Sequence, residues 1–431
     1  MEILNKIERK EAIVGIIGMG YVGLPLAILS SNCGFQTIGF DIDEEKTKKL
    51  NEGISYIKHI KEEEIKKAKK NNFYATTDFK KLSICDVILI CVPTPLTEHL
   101  EPDMQYIKNT GEEISKNLRK EQLIVLESTT YPGTTEEFLI PILEKSKLKA
   151  GDDFYVAFSP EREDPANTNY NTRNIPKVVG GLDERSTKVA VSFYEKIVEK
   201  VVPVSSLKVA ESCKILENMY RAVNIAMVNE LKILFSKMNI DIWEVIKAAS
   251  TKPFGFQAFY PGPGLGGHCI PIDPFYLSWK AKEYDLNLRF VELAGEVNIS
   301  MPYFVIDRLI DALNERGKVL RDCNVLLIGI AYKKNVDDLR ESPSLKIWDI
   351  LLKKGAKVSY HDPFIPKVPK TRKYKFEAES KPLNEEILKS FDAVIITTDH
   401  SFIDYELIKR FAKLIIDTRG VFPSGLNVVK A

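Results

Sequence analysis

The chain reads IVGIIGMGYVG over residues 13–23, and this stretch predicts a strand that turns directly into a helix. Its first five residues form a continuous apolar run, as expected of a parallel strand buried on both faces. Gly18, Gly20 and Gly23 follow at GxGxxG spacing. Such glycines allow a tight turn, let a pyrophosphate approach the backbone and pack the helix against the strand. We expect that helix from about Tyr21 to Cys33.

The second predicted strand ends in an acidic residue. It spans Phe35 to Phe40 and ends at Asp41, 18 residues beyond Gly23. A carboxylate there can accept hydrogen bonds from ribose hydroxyls and repels a 2′-phosphate, so the pattern favours NAD over NADP. Asp43 is the weaker candidate, because it lies two residues beyond the strand. The alternative is a tight strand–helix turn that binds nothing.

Three further apolar runs end in polar residues. We predict strands at Val87 to Val92, Leu123 to Leu126 and Tyr155 to Phe158. Open α/β sheets bind ligands at the carboxyl ends of their strands. Thr130 follows the second of these strands and Glu161 the third, which makes both side chains candidates for a functional role.

The pattern becomes helical after about Ser206. One long helix is predicted from near Leu207 to Lys237, and it places Lys214, Asn218 and Arg221 at positions i, i+4 and i+7 of one face. A solvated polar stripe explains this spacing as well as a site does. If the face lines a pocket, the lysine and the asparagine could stabilise an oxyanion. Further helices are predicted from Asp241, a candidate N-cap, and over Phe290 to Gly317.

Residues 262–269 read GPGLGGHC, and Asp273 lies four residues beyond the cysteine. Four glycines and one proline in this stretch are poor core material, whereas exposed backbone N–H groups can hold a phosphate or an oxyanion. A thiolate can capture an aldehyde as a thiohemiacetal, which can lose a hydride to become a thioester. The alternative is a buried structural cysteine, as we predict for the other five cysteines. His268 is expected to have a structural or substrate-contact role, because adjacent side chains diverge.

A second α/β pattern follows. It lacks GxGxxG and has GIAYKK at residues 329–334 instead, which suggests a different phosphate ligand such as a nucleotide diphosphate. Its helix is predicted over Ser344 to Lys354. Its strands are predicted at Val325 to Ile330, Lys357 to His361, Ala393 to Thr397 and Leu414 to Asp417.

The predicted fold class is therefore α/β, with two Rossmann-like domains joined by a long central helix and a helical middle segment. The predicted domains are an NAD-binding Rossmann domain at 1–205, a central helical and dimerisation segment with the cysteine loop at 206–318, and a Rossmann-like domain for a nucleotide-diphosphate ligand at 319–431.

Composition excludes several classes of protein. The chain has 431 residues, of which 44% are hydrophobic and 28% charged, with a net charge of +1. This balance argues against nucleic-acid or membrane binding driven by bulk charge. The N-terminus MEILNKIERKEA is too charged for a signal peptide, and no run approaches ~20 apolar residues. Scattered cysteines without zinc-ligand spacing predict a reducing cytoplasm and no metal.

Several motifs together resemble the UDP-sugar 6-dehydrogenases of the UDP-glucose/GDP-mannose dehydrogenase superfamily. The resemblance covers essentially the whole chain, in order. Glucose-specific members usually carry GGSCFxKD at the cysteine loop, whereas this chain has GGHCIPIDP preceded by TKPFGFQAFYPGPG. That form, with SPERED upstream, is similar to the branch that oxidises UDP-N-acetylglucosamine, and the mannosamine branch is also GGHC-like. The matching motifs are GMGYVGLPLA, VPTP, STTYPGTTE, SPERE, ESCKILENMYRAVNIAMVNE, GPGLGGHCIPIDP and GIAYKKNVDDLRESPS.

The resemblance implies a role for each matching residue. Cys269 would be the nucleophile, and Lys214 and Asn218 would stabilise the developing alkoxide and oxyanion. Asp273 would assist proton transfer or position water. Thr130 would orient that water and contact the cofactor, while Glu161 would assist thioester hydrolysis.

Two binding sets and a subunit contact are also implied. The NAD contacts would be Gly18, Gly20, Tyr21, Val22, Gly23, Asp41, Lys46, Pro93, Thr94, Thr130 and Arg340. The UDP-sugar contacts would be Glu161, Arg162, Lys214, Asn218, Arg221, Phe259, Tyr260, Gly264, Gly266, Tyr332, Lys333 and Arg419. Lys252 would reach a neighbouring subunit of a homodimer or a higher homo-oligomer.

The expected reaction is an NAD-dependent four-electron oxidation of the C6 alcohol of a UDP-hexose, most like UDP-N-acetylglucosamine. UDP-glucose and UDP-N-acetylmannosamine are alternative substrates. A two-electron β-hydroxyacid dehydrogenase is an alternative of another reaction class, since it needs neither Cys269 nor a second Rossmann-like unit. An NAD-sensing scaffold protein is a third interpretation.

Overall fold

The computed structural model describes residues 2–57, 60–97, 101–163, 169–267, 270, 272–369, 371 and 373–431. The chain divides into two compact units. The first comprises Met1–Glu217 with Trp279–Leu286, and the second comprises Asn218–Ser278 with Asn287–Ala431. The division into three domains remains a prediction.

The first unit is built around a sheet that has eight strands within the described ranges. All neighbouring strands pair in parallel except β6 and β7, which are antiparallel. The spatial order is β3-β2-β1-β4-β5-β6-β7-β8. The strands are β1 Ile13–Ile17, β2 Gln36–Phe40, β3 Phe73–Thr76, β4 Val87–Ile90, β5 Leu123–Leu126, β6 Tyr155–Phe158, β7 Lys177–Gly181 and β8 Val201–Val204.

Strand β4 shows why these runs form central strands. Every residue from Val87 to Ile90 is fully buried. Val87 and Leu89 enter one apolar cluster, while Ile88 and Ile90 enter another on the opposite face. A continuous apolar run is therefore required, because helices cover both faces of the sheet. The helices that begin in this unit are α1 Glu2–Glu8, α2 Gly23–Asn32, α3 Glu44–Glu52, α4 Glu62–Lys70, α5 Gln105–Asn117, α6 Ile140–Leu143, α7 Glu184–Tyr194 and α8 Leu207–Lys237.

Three predicted boundaries need correction. The helix predicted over Phe290 to Gly317 ends at Asn314, three residues earlier. Helix α2 begins at Gly23, because the glycine turn occupies the preceding residues and leaves Tyr21 and Val22 outside the helix. Strand β4 ends at Ile90, two residues before the predicted end at Val92. The other predicted strand ends differ by at most two residues, the usual uncertainty of such boundaries.

The second unit contains a parallel sheet of the order β10-β9-β11-β12-β13, counted over the described residues. Its strands are β9 Asn324–Ile328, β10 Lys357–His361, β11 Ala393–Ile396, β12 Ile415–Asp417 and β13 Val428–Lys430. The remaining helices of the chain are α9 Ile242–Ala249, α10 Asp273–Ala281, α11 Arg289–Asn314, α12 Pro343–Lys353, α13 Glu385–Ser390 and α14 Tyr405–Phe411. The two units confirm the predicted α/β class with two Rossmann-like sheets.

Helix α8 is 31 residues long and runs through the boundary between the units. Both of its ends agree with the prediction, and Asp241 caps the next helix by accepting from the backbone N–H groups of Trp243 and Glu244. In the part of the chain that the structure describes, no helix combines the length and the apolar character needed to cross a bilayer.

Candidate active site

The glycine turn after β1 leaves room for a ligand at one position. Gly18 has a φ of +95°, and a Cβ added there would lie 2.5 Å from the carbonyl oxygen of Cys91. A Cβ on Gly23 would lie 1.9 Å from the carbonyl oxygen of Gly18. Around Gly20, by contrast, no described atom lies within 4 Å of such a Cβ. The fold thus requires Gly18 and Gly23, whereas open space at Gly20 fits the close approach of a pyrophosphate.

Asp41 and Asp43 have different surroundings. The Asp41 carboxylate is 8% exposed and accepts from the backbone N–H groups of Met19 at 2.9 Å and Asp43 at 3.0 Å. Asp43 instead caps α3 by accepting from the N–H groups of Glu45 and Lys46. Each Asp41 oxygen keeps acceptor capacity for a ribose hydroxyl, so the residues at this edge of the sheet fit NAD.

The other predicted cofactor contacts are distributed as follows. Lys46 places its Nζ 3.8 Å from Asp41 Oδ2. Pro93 is exposed and Thr94 is buried just beyond β4. Arg340 belongs to the second unit, where its guanidinium donates to the Asp338 carboxylate, with Nη2 2.6 Å from Oδ2.

Glu161 and Thr130 lie just beyond strands of the first unit. Thr130 is buried, and its Oγ1 has no hydrogen-bond partner among the described residues. Glu161 Oε1 accepts from the N–H of Glu163, and Glu161 Oε2 lies 4.0 Å from Lys177 Nζ. Both side chains therefore have polar atoms with capacity for a ligand.

Lys177 belongs to a buried charge network that sequence reasoning missed. Its Nζ lies 2.5 Å from Glu127 Oε2, and Tyr194 donates to the other oxygen of that carboxylate. Burial raises the pKa of Glu127, and Lys177 only partly offsets the effect. Burial lowers the pKa of Lys177, but Glu127 and Glu161 more than reverse this and hold the pKa above its usual value. The sequence signal for this network was a lysine at the start of the buried and otherwise uncharged run KVVGG.

Two residues of the first unit continue the candidate substrate set. Arg162 Nη2 lies 2.7 Å from Glu217 Oε1, and Arg162 Nη1 donates to the carbonyl oxygen of Pro176. Lys214 is buried on α8. Glu211, one turn before it, accepts from the N–H groups of Gly133 at 2.5 Å and Thr135 at 2.9 Å.

In the second unit, three predicted residues meet. Asn218 donates through Nδ2 to Asp273 Oδ2 at 2.5 Å, and Arg221 donates to the amide oxygen of Asn218. These bonds set the orientation of the Asn218 amide, and both Asn218 and Asp273 are buried. Because Asp273 is the first residue of α10, the helix that follows the cysteine loop holds this carboxylate in place.

The glycine loop is held at both of its described ends. Gly262 donates its N–H to Asn229 Oδ1 at 2.9 Å, and its carbonyl oxygen accepts from Lys232 Nζ at 3.0 Å. At the other end, the N–H of Gly267 donates to the carbonyl oxygen of Arg340 at 2.9 Å. His268 and Cys269 lie outside the described residues.

Two of the candidate sugar-nucleotide residues, Tyr332 and Arg419, lie against this loop within the second unit. A Cβ on Gly266 would lie 2.7 Å from Tyr332 Cβ, and one on Gly262 would lie 2.7 Å from Arg419 Nη1. Arg419 also donates through Nε to the carbonyl oxygen of Thr397 at 2.8 Å. Gly264 has a φ of +132°. Phe259 packs edge-on against Tyr220, Tyr260 is 56% exposed, and Lys333 is half-buried beside Tyr332 in sequence.

The turn after β9 repeats part of the first glycine turn. Gly329 has a φ of +75°, and Asp362 follows β10 as Asp41 follows β2. Here, however, the Asp362 carboxylate accepts from two successive N–H groups, those of Ile330 at 2.7 Å and Ala331 at 3.2 Å. His400 is buried beside it, with Nε2 3.2 Å from Asp362 Oδ2. The backbone N–H groups of this turn are therefore already hydrogen-bonded to Asp362. This favours a mode of ligand binding different from that at the glycine turn of the first unit.

The five cysteines within the described residues are poor nucleophiles. Burial raises the pKa of each of these thiols, to about 12 for Cys85. A raised pKa lowers the thiolate fraction at neutral pH. Cys33 and Cys213 are only half-buried, whereas Cys85, Cys91 and Cys323 are buried as predicted.

Comparisons with known proteins cover nearly the whole chain. Models of the UDP-glucose/GDP-mannose dehydrogenase family match its NAD binding domain at residues 12–198, its central domain at 208–300 and its UDP binding domain at 326–424. A UDP-N-acetyl-D-glucosamine 6-dehydrogenase from Pseudomonas aeruginosa is 34% identical over 91% of each chain. A UDP-N-acetyl-D-mannosamine dehydrogenase from Pyrococcus horikoshii is 32% identical over 95% of each chain.

A solved structure gives the same result for the fold. The UDP-D-ManNAc dehydrogenase of Pyrococcus horikoshii superposes with a TM-score of 0.86 at 29% identity, covering 97% of this chain and 98% of that chain. The fold and these matches define an NAD-dependent oxidoreductase of nucleotide sugars. The chain belongs to the UDP-glucose/GDP-mannose dehydrogenase family.

Proposed function

We propose that the protein oxidises the C6 alcohol of UDP-N-acetylglucosamine to the carboxylate, with Cys269 as the nucleophile. The mechanistic part of this proposal rests on the hydrogen bond between Asn218 and Asp273. An amide and a carboxylate thus lie together in the unit that also contains the glycine loop. The loop sequence GGHCIPIDP and the 34% identical relative of this specificity support the choice of sugar.

The proposed chemistry balances as two hydride transfers and one hydrolysis. The alcohol first loses a hydride and a proton to become an aldehyde, and the Cys269 thiolate adds to the aldehyde carbon. The resulting thiohemiacetal, in its alkoxide form, loses a second hydride to become a thioester, which water hydrolyses to the acid and the free thiol. NAD, when bound, accepts each hydride, so one turnover consumes two NAD+ and one water.

The side chains of the protein would stabilise developing charge and assist the transfer of protons. Lys214 and the Asn218 amide would stabilise the negative charge that develops on oxygen. Asp273 would assist proton transfer or position water, while Thr130 and Glu161 would serve the hydrolytic step. Asp41 and the turn at Gly20 would hold the ribose and the pyrophosphate of the cofactor, with Lys46, Thr94 and Arg340 as further contacts.

UDP-N-acetylmannosamine is the second candidate substrate. The 32% identical relative and the superposed structure from Pyrococcus horikoshii both carry that specificity. The two sugars differ only in the orientation of the acetamido group. The aromatic segment at Phe259 and Tyr260 is where we expect that group to be distinguished.

We also propose that the chain forms a homodimer through helix α8. Five apolar residues of α8, together with Met238 just beyond its end, are between 41% and 67% exposed, and the six recur at intervals of seven and four residues. A stripe with this spacing matches the seam of paired helices. The residues are Val209, Leu216, Tyr220, Met227, Leu234 and Met238.

Steady-state kinetics with four UDP-sugars test the proposed function. We expect the highest kcat/KM with UDP-N-acetylglucosamine, at least about tenfold above UDP-glucose, because unpaired polar groups in an acetamido pocket cost ~1–3 kcal/mol. UDP-N-acetylmannosamine and UDP-N-acetylgalactosamine complete the panel. Two NADH per sugar separate this reaction from a two-electron dehydrogenase, which forms one. Cys269→Ser is the control and should form no acid, whereas a clear preference for UDP-glucose would overturn the choice of sugar.

A further inference from the structure

Lys232 is a fully buried lysine on α8. Its side chain is 2% exposed, and no carboxylate of the described residues lies within 4 Å of Nζ. Nζ donates to the carbonyl oxygen of Gly262 at 3.0 Å and lies 5.5 Å from the ring centroid of Phe304. Burial, reinforced by Arg419, holds the pKa of Lys232 well below its usual value. Burying an amine without an anionic partner is costly, which points to a task beyond packing.

Asn229 contacts the other polar group of the same glycine. Its Oδ1 accepts from the N–H of Gly262 at 2.9 Å, and its Nδ2 donates to Asn298 Oδ1 at 2.9 Å. Asn298 in turn donates to the carbonyl oxygen of Ala222 at 3.2 Å. This chain of bonds sets the orientation of the Asn229 amide. One turn of α8 therefore holds both the N–H and the C=O of Gly262.

The space around Gly262 explains why the held residue is a glycine. An added Cβ would lie 2.7 Å from Arg419 Nη1. At the opposite end of the loop, the N–H of Gly267 bonds to the carbonyl oxygen of Arg340, and its Cα faces the Tyr332 ring. The backbone leading to Cys269 thus starts from a segment held at both ends.

We propose that Asn229 and Lys232 are positioning residues that act through Gly262 to place Cys269 for attack. The inference rests on the proposed function, in which Cys269 is the nucleophile. Neither residue is assigned a contact with NAD or with the reacting atoms. Their effect is expected on the chemical steps, because a small misplacement of a nucleophile sharply lowers the rate.

The test compares Lys232→Met with Lys237→Met, which removes an exposed lysine from the same helix. The readouts are kcat, the KM for NAD, and the rate at which iodoacetamide alkylates Cys269, followed by peptide mass. We expect Lys232→Met to lower kcat at least tenfold, to change Cys269 alkylation at least threefold and to leave the KM for NAD within twofold. Lys237→Met should match the parent. A folded Lys232→Met variant with parental kcat and alkylation would overturn the proposal.

A second variant and a second measurement keep this test decisive. If Lys232→Met does not fold, Asn229→Ala, which removes the other contact to Gly262, is judged by the same readouts. Hydrogen exchange of the peptide containing Gly262 should be faster in either variant, and unchanged exchange counts against the proposal. If the parent forms no acid from any UDP-sugar, the proposed function fails, while alkylation and exchange still decide whether these residues hold the loop.

Discussion

At the scale of single residues, side chains of the same type differ in their contacts and pKa values because their surroundings differ. Asp41 and Asp43 lie two positions apart, yet Asp43 is occupied in capping α3, whereas Asp41 faces the glycine turn. Lys177 and Lys232 are both buried amines, but two glutamates hold the pKa of Lys177 above its usual value, whereas burial and Arg419 outweigh Asp417 and depress the pKa of Lys232. Function is therefore assigned from contacts and not from residue type.

Asp41→Ala is expected to weaken NAD binding by ~1.5–3 kcal/mol, because it removes a charge-assisted hydrogen bond. It should also relax discrimination against NADP, since the carboxylate no longer repels a 2′-phosphate. Fluorescence titration with both cofactors measures the two effects. A thermal melt is the control for folding, because Met19 loses its acceptor as well. Unchanged NAD affinity would show that Asp41 is not the ribose ligand.

At the scale of elements, helix α8 contacts one loop in each unit, and it does so through different residues. Glu211, near its N-terminal end, accepts from the N–H groups of Gly133 and Thr135 and from the hydroxyl of Thr135. The turn so held follows Thr130 by only a few residues. Farther along α8, Asn229 and Lys232 hold Gly262. One helix thus anchors two loops that carry candidate site residues.

Glu211 predicts a specific pH dependence of stability. Burial raises its pKa to about 7 from a usual value of 4.5. The folded state therefore binds more protons than the unfolded state between these values, and this contribution to stability falls as pH rises through that window. The full loss is on the order of 3 kcal/mol.

Glu211→Gln isolates this effect. The variant cannot ionise, so its stability relative to the parent should increase from pH 5 to pH 8. Denaturant melts of both proteins across this range provide the measurement. The variant also carries a constant cost, because its amide N–H₂ opposes the N–H of Gly133 or Thr135, but that cost does not vary with pH. Parallel curves for the two proteins would contradict the assignment.

At the scale of the whole molecule, the exposed stripe on α8 is the feature that a single chain leaves unexplained. Contiguous apolar surface on a soluble protein is typical of an interface. Leu216, at 67% exposed, is the most exposed residue of the stripe. The pattern is sustained along the helix, which favours pairing with a second copy of the same helix.

Leu216→Glu is expected to disrupt the proposed dimer, because pairing would bury a charge in an apolar seam. Light scattering coupled to size exclusion should give the parent twice the chain mass of 48.9 kDa and the variant a single chain mass. Leu426→Glu is the matched control, since Leu426 is a fully exposed leucine outside the stripe. A monomeric parent, or a variant that remains dimeric, would rule out this interface.

Local patterns were sufficient for much of the fold. The strands at Leu123–Leu126, Tyr155–Phe158 and Lys357–His361 and the helix Leu207–Lys237 have the predicted bounds. Leu123–Leu126 and Tyr155–Phe158 are buried at every residue, so an apolar run marks them, whereas in Lys357–His361 only Tyr360 is buried. Strands β3, β7, β8 and β13 were not predicted. Strand β7 opens with a lysine and ends in glycines, and β8 contains Pro203. Such short sequences form strands only because neighbouring strands pair with them.

The sequence by itself determined the glycine turn, the acidic strand end and the polar face of α8, since spacing along the chain reports these features directly. Only the tertiary structure brought Asp273 to Asn218 across 55 positions, Lys177 to Glu127 across 50 and Lys232 to Gly262 across 30. The physical reason is that periodicity records which face of an element is buried. It does not record which distant group lies against that face, and a buried polar side chain depends on that partner for its charge, its orientation and its function.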